Sequence, residues 1–166
     1  MAEPSRTIAI LVANPALSSI LSMVLASVPS YRVRPFQSEL ALVTYMRLAP
    51  VDVVVTDFDS VNARADRVTR DLRADEGIVY RDYQVIALAS SVSPETKQLC
   101  IASGIDEVIV KPMSPKYLVE RVKSRLARRA TTLPRPVRNG SLRRPDFSQY
   151  GNVIPLWTRE RPLPQH

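Results

Sequence analysis

Short apolar runs alternate along this chain with stretches in which apolar residues recur every three or four positions. Apolar runs rich in β-branched residues are typical of strands buried on both faces of a parallel sheet, and the longer period is typical of amphipathic helices. The runs predict five strands, at residues 7–12, 31–35, 51–57, 83–89 and 107–110. The second alternates apolar and polar residues, which indicates an edge strand.

The segments between the strands carry helix signals. Asn14-Pro15, Ser93-Pro94 and Ser114-Pro115 each place an N-cap residue before a proline at the first helical position. Two further helices are predicted at residues 37–48 and 60–74, the latter mostly exposed because it is highly charged. The fifth helix is expected to carry its basic residues opposite its apolar face. The core residues expected from the first, second and fifth helices are Leu17, Ile20, Leu21, Val24, Leu25, Leu40, Leu42, Val43, Met46, Leu118, Val119, Val122 and Leu126.

This alternation of strand and helix predicts the fold class. Short crossovers between parallel strands are right-handed and bury both faces of the sheet. We therefore expect an α/β domain at residues 1–129, with a doubly wound five-stranded parallel sheet and five helices. Residues 130–166 are rich in proline and arginine and are expected to form an extended C-terminal arm.

Composition and charge narrow the class of protein. The chain has 166 residues, 45% of them hydrophobic, which suits one domain with a sizeable core. The single cysteine, Cys100, allows no internal disulfide, and no apolar run is long enough to cross a bilayer. We expect a soluble, cytoplasmic protein with no membrane partner. The net charge of +7 is concentrated in the arm, which suggests either contact with an acidic partner or nucleic acid, or a solvated tail.

One part of the arm differs from the rest. Val153, Ile154, Leu156 and Trp157 form an apolar cluster within a polar, proline-rich segment. This cluster predicts docking, either on the parent domain or on a partner such as a second copy, and we expect a homodimer that uses the arm. Solvent exposure without a role is the alternative.

The strand at residues 51–57 ends at an acidic residue, Asp57. Ligands of open α/β sheets bind outside the carboxyl ends of the strands. A carboxylate there is a candidate nucleophile or metal ligand. The alternative is an ordinary aspartate that caps a turn.

Residues 7–129 resemble the receiver domain of two-component response regulators. No single feature carries the resemblance, but their order and spacing together do. The features are the buried strand ending at Asp57, the strand Val85-Ile86-Ala87-Leu88, the turn Ala102-Ser103-Gly104-Ile105-Asp106-Glu107, and Lys111-Pro112 directly after Val108-Ile109-Val110. The resemblance implies the flavodoxin-like receiver fold.

The resemblance also implies roles for two residues. Asp57 falls at the position of the family's phosphoacceptor, and Lys111 at the position of the lysine that contacts the phosphoryl oxygens, where Lys-Pro is often joined by a cis peptide. A carboxylate is chemically able to accept a phosphoryl group, and an ammonium neutralises charge on the transferred oxygens. The alternative for Lys111 is a structural ion pair with Asp57.

Two departures from the family affect its metal site and its switch. Ala13 and Asn14 occupy the positions of two acidic residues that bind Mg²⁺, so a site made from Asp57, Asn14 and Asp59 is expected to be weak or lost. Ala89 replaces the switch Thr or Ser, and Val108 replaces the switch aromatic residue. Ser90 is expected to compensate only if the strand register slips by one residue.

Two functions follow from these residues. The first is an atypical receiver, not an enzyme and without a cofactor, which acts in two-component signalling mainly by protein–protein interaction with a histidine kinase or another signalling protein. The alternative is a working phosphoacceptor that receives a phosphoryl group on Asp57. Specific DNA binding is not expected, because the prolines after residue 130 prevent a helix-turn-helix.

Overall fold

The structure is a computed structural model that describes residues 4–130 and 153–154. Five strands alternate with five helices, and a two-residue strand follows them. In chain order the elements are β1 (Arg6–Leu11), α1 (Pro15–Ala26), β2 (Tyr31–Phe36), α2 (Glu39–Leu48), β3 (Val53–Asp57), α3 (Ala65–Ala74), β4 (Gln84–Ala89), α4 (Pro94–Ser103), β5 (Glu107–Val110), α5 (Pro115–Ala130) and β6 (Val153–Ile154).

The strands form one sheet in the order β2-β1-β3-β4-β5-β6. The first five strands pair in parallel, and β6 pairs antiparallel to β5. The predicted fold class, a doubly wound five-stranded parallel sheet with five helices, is confirmed. The order reverses at β1, so the carboxyl ends of β1 and β3 border a crevice, which is where ligands of such sheets bind.

Both faces of the sheet are buried, because alternate residues of each strand point to opposite sides. Val54, Val85 and Ala87 pack with the buried residues of α2, α3 and α4. Val53, Val55, Ile86 and Leu88 pack with those of α1 and α5. The β-branched run of β3 thus lies in the middle of two hydrophobic cores, which fixes the position of Asp57 at its end.

The helices differ from the predictions in three respects. Ile20 and Leu40 were expected in the core but are 48% and 75% exposed. Each of the two helices buries only part of its apolar residues, and these two lie outside the buried stripe. α3 begins at Ala65, not residue 60, because the Ser60 hydroxyl accepts a hydrogen bond from the Ala63 N–H in a preceding turn. α3 is also half buried, with its charged residues mainly on the outer face.

The fifth helix holds an ion-pair cluster that the sequence pattern did not predict. Arg121 and Arg125 are buried, and both donate to the carboxylate of Glu107, which is itself buried at the start of β5. Arg125 also donates to the Asp106 carbonyl at 2.7 Å. The expectation that the basic residues of α5 lie opposite its apolar face is therefore wrong for these two arginines, which cross-link α5 to β5.

Two further properties of the described residues concern membrane insertion and thiol reactivity. No helix among residues 4–130 is both long and apolar enough to cross a membrane. The Cys100 thiol is buried in the core, and this burial, with the nearby charge of Asp66, raises its pKa to about 11. Cys100 is therefore a core residue and not a reactive thiol.

Replacing Glu107 with glutamine is expected to lower the free energy of unfolding by about 3 kcal/mol, because two buried guanidinium groups lose their counter-charge. Urea denaturation followed by circular dichroism measures this change. Asp75→Asn is the matched control, since it removes a carboxylate whose partner, Arg47, is exposed and screened by solvent. Equal destabilisation by the two substitutions would contradict the proposed importance of the buried cluster.

Candidate functional site

The loops that follow the parallel strands meet at the carboxyl edge of the sheet. Asp57 is the last residue of β3, and Ala89 is the last residue of β4. Ala13 and Asn14 follow β1, and Lys111 follows β5. The fold therefore brings the predicted site residues to one crevice.

Asp57 and Lys111 form the centre of this crevice. The ammonium nitrogen of Lys111 lies 3.1 Å from each carboxylate oxygen of Asp57. Asp57 is 5% exposed, so solvent screens the pair only weakly. The Lys111-Pro112 peptide bond is cis. This geometry fits the role implied for Lys111 and also the alternative of a structural ion pair.

Asp59 has a larger part in the crevice than the sequence indicated. Its Oδ2 lies 2.8 Å from Lys111 Nζ, and the same oxygen accepts hydrogen bonds from the Ser90 N–H at 2.9 Å and from the Ser90 hydroxyl at 2.5 Å. The Asp59 N–H in turn donates to Asp57 Oδ1 at 2.9 Å. Lys111 thus joins two carboxylates, one from the end of β3 and one from the loop after it.

The charged forms of Asp59 and Lys111 stabilise each other. Burial of Asp59 disfavours its charged form, but the hydrogen bonds and charge of Lys111 and the hydrogen bonds of Ser90 outweigh this effect and lower its pKa. Burial likewise disfavours the charge of Lys111, and the two carboxylates outweigh it and raise the Lys111 pKa. The ion-paired state is therefore favoured at neutral pH.

The donor set fits Mg²⁺ poorly. Ala13 supplies no side-chain oxygen, and Asn14 Oδ1 accepts the Leu17 N–H at 3.1 Å as the N-cap of α1. Both Asp57 oxygens already contact Lys111, so a dication at the same oxygens would lie beside an ammonium that repels it. Among residues 4–128 no group of three or more His, Cys, Asp or Glu side chains is arranged to hold a metal ion.

The two switch positions are buried aliphatic residues. Ala89 and Val108 are 1% and 0% exposed, and both belong to the core on the α2–α4 side of the sheet. β4 and β5 pair without a slip, with Ala87 opposite Val108 and Ala89 opposite Val110. The Ser90 hydroxyl contacts Asp59 in this unslipped register. That Ser90 does not replace the switch hydroxyl without a slip stays a prediction. Ser90 lies beyond the end of β4, where the alternation of a strand no longer fixes side-chain direction.

The predicted arm residues lie largely outside the described part of the chain. Leu156 and Trp157 are outside it. Val153 and Ile154 form β6, opposite Ile109 and Val108 of β5. Docking of the whole apolar cluster stays a prediction.

A doubly wound sheet with an Asp–Lys pair at its carboxyl edge is the arrangement that the resemblance implied for a receiver-type α/β domain. No family model matches the chain. Over 115 residues it is 30% identical to the DNA-binding response regulator MtrA of Mycolicibacterium smegmatis, a match that covers 69% of this chain and 48% of the relative. MtrA of Mycobacterium tuberculosis strain H37Rv is 35% identical over 88 residues, 53% of this chain and 36% of the relative. The chain thus matches less than half the length of these curated relatives.

Solved structures agree with this class. The BeF3-activated DrrB receiver domain has a TM-score of 0.63 at 21% identity, covering 74% of this chain and 98% of that one. A CheY-like response regulator receiver domain protein from Methanospirillum hungatei has a TM-score of 0.67 at 16% identity, covering 76% and 97%. The described domain is a receiver domain of the two-component response regulators, a family of signalling modules.

Replacing Lys111 with methionine is expected to raise the pKa of Asp59, since the ammonium is the main group that holds it down. The wild-type carboxylate contributes stability above its ordinary pKa of 3.8 and loses it as pH falls through the lowered folded value. Lys111 contributes stability below 10.5 and loses it as pH rises through its raised value. The cluster should therefore stay intact from about pH 5 to about pH 9.

Carbon-13 NMR titration of the Asp59 carboxyl group measures this effect in the wild type and in Lys111→Met. Lys116→Met, which removes an exposed lysine of α5, is the control. An Asp59 midpoint that does not change in Lys111→Met would show that the contact does not form in solution.

Proposed function

We propose that this chain is an atypical receiver that acts in two-component signalling mainly by protein–protein interaction, with impaired Mg²⁺-dependent phosphorylation and no enzymatic activity of its own. The observation that carries the proposal is the absence of carboxylates at residues 13 and 14 beside an otherwise complete Asp57–Lys111 pair. A histidine kinase or another signalling protein is the proposed partner.

The electrostatics of the crevice support impaired phosphorylation. Two unit charges about 4 Å apart interact by about 4 kcal/mol at an effective dielectric constant of 20. A divalent cation doubles this charge product, so by this estimate each missing carboxylate costs several orders of magnitude in affinity. Asn14 offers only a neutral amide oxygen, which already caps α1.

The switch positions also support this proposal. A bistable element needs contacts that differ between its two states. Ala89 has no hydroxyl to turn toward a phosphoryl group, and Val108 has no ring to follow it. We therefore propose that partners bind a surface that phosphorylation does not remodel through these residues.

The face formed by α4, β5 and α5 is the proposed partner surface. Leu99 and Ile101 of α4 are 38% and 46% exposed, although the neighbouring Cys100 is fully buried. The two side chains lie on opposite flanks of the buried stripe of α4, and each is an exposed apolar group that a partner contacting this helix would cover. The relatives named above are DNA-binding regulators that are much longer than the match, and we propose no specific nucleic-acid partner for this chain.

A functional phosphoacceptor is the second candidate, favoured by the direct contact of Lys111 with both Asp57 oxygens. Incubation with acetyl phosphate and Mg²⁺, followed by intact-mass measurement, separates the two functions. We expect no stoichiometric adduct on the wild type. The double substitution Ala13→Asp and Asn14→Asp should increase the rate of adduct formation at least about a hundredfold, because it restores two carboxylates beside a bound cation.

The control for that experiment is Asp57→Asn in both backgrounds, which must abolish any adduct on the proposed acceptor. A stoichiometric adduct on the wild type that is absent from Asp57→Asn would refute impaired phosphorylation and establish the second function.

We further propose that the arm promotes homodimer formation through its apolar cluster. The pairing of Val153–Ile154 with the outer edge of β5 supports docking of the arm at this edge, since an open strand edge attracts another strand. Truncation after Ala130 should halve the mass measured by light scattering. An unchanged mass would count against a role of the arm in self-association.

A further inference from the structure

The oxygen Oδ2 of Asp59 accepts contacts from three donor groups at once. These are the Lys111 ammonium at 2.8 Å, the Ser90 N–H at 2.9 Å and the Ser90 hydroxyl at 2.5 Å. The donors come from the ends of β4 and β5, whereas Asp59 belongs to the loop after β3. A single carboxylate oxygen therefore links three neighbouring strand ends.

An ammonium, a hydroxyl and a backbone N–H that converge on one point are the groups that bind an oxyanion in proteins. In this chain the oxyanion is a carboxylate of the protein itself. It is separated from Asp57 by one residue, and its own N–H is anchored to Asp57 Oδ1 at 2.9 Å. A tethered group of this kind has a high effective concentration, so a dissolved anion must displace it to reach the same donors.

We propose that Asp59 is a built-in anion, which occupies the oxyanion position beside Asp57 and holds Ser90 and Lys111 in the arrangement of an anion-bound crevice. This inference rests on the proposed function, because it names what fixes the crevice of a receiver that works without phosphorylation. It also explains why Ser90 faces the crevice although Ala89 occupies the switch position: the hydroxyl is drawn there by the Asp59 carboxylate.

The position of Asp59 fits this role better than a purely structural one. Its side chain is 41% exposed, so burial does not force it into the crevice. A loop carboxylate with this exposure is able to turn to water, yet it contacts Lys111 and Ser90 instead. The contact is therefore a property of the donors and their charge, and removal of the carboxylate should leave those donors open to another anion.

The test compares three full-length proteins that all carry Asp57→Asn, which removes the negative charge that would repel an added anion and prevents covalent transfer. One has no other change, one adds Asp59→Asn, and one adds Asp75→Asn. Asp75 is the matched control, because its carboxylate pairs with Arg47 and not with the crevice. Orthophosphate is titrated into each nitrogen-15-labelled protein, and the Ser90 amide proton is followed by NMR.

Without phosphate, Asp59→Asn should move the Ser90 amide proton upfield, because the charge-assisted hydrogen bond is lost. Phosphate should then move it downfield again, with a Kd about tenfold lower than in the other two proteins. This factor corresponds to a site that is free in about one tenth of the molecules while Asp59 is present. Asp59→Ala repeats the comparison without any side-chain acceptor.

The inference is overturned by equal phosphate affinity in all three proteins, by phosphate binding in none of them, or by a Ser90 amide that does not respond to Asp59→Asn. Orthophosphate transfers no phosphoryl group, so this result is independent of the acetyl phosphate experiment. A wild-type chain that became phosphorylated would refute the proposed function, while a tenfold gain on loss of Asp59 would still stand.

Discussion

The arrangement of the crevice depends on the ammonium of Lys111, which lies between the carboxylates of Asp57 and Asp59. The two carboxylates come from the end of β3 and from the loop after it, and both lie within 3.1 Å of the Lys111 nitrogen. Two carboxylates this close would repel each other without a cation between them. Among the described residues, Lys111 supplies that positive charge.

The sheet makes this arrangement possible by fixing where each charge lies. β3 is buried on both faces, so Asp57 at its end has little freedom to move. β5 is held in a different way, because buried Glu107 at its start pairs with Arg121 and Arg125 of α5. The hydrophobic core thus fixes the position of Asp57, and the buried ion-pair cluster helps to hold β5, which Lys111 directly follows.

The sequence predicted the elements whose signals are local. The five parallel strands followed from apolar runs, and three helix starts followed from an N-cap residue before proline; Asn14 and Ser93 both act as caps in the structure. Asp57 was singled out because it ends a strand, and Lys111 because the chain resembles the receiver family. The hydrogen bonds of Asp59 to Ser90 and the ion pairs of Glu107 were not predicted, since each joins residues from separate elements. The periodicity of apolar residues does not show which way the side chain of a loop aspartate points. Arginines in a helix are predicted to lie in solvent unless their buried partner is known.

The losses at residues 13 and 14 and the position of Asp59 have a common electrostatic explanation. A crevice with Asp57, Asp59 and two more carboxylates would carry a large excess of negative charge, which one lysine could not balance. With Ala13 and Asn14 in those places, the single ammonium leaves a net charge of only −1 on the three ionised groups, so a second carboxylate is tolerated close to Asp57. The absence of carboxylates at residues 13 and 14 is therefore compatible with the approach of Asp59 to Lys111. A divalent ion entering this crevice would be repelled by the ammonium that both carboxylates already contact, and it would gain no charged ligand from residues 13 and 14.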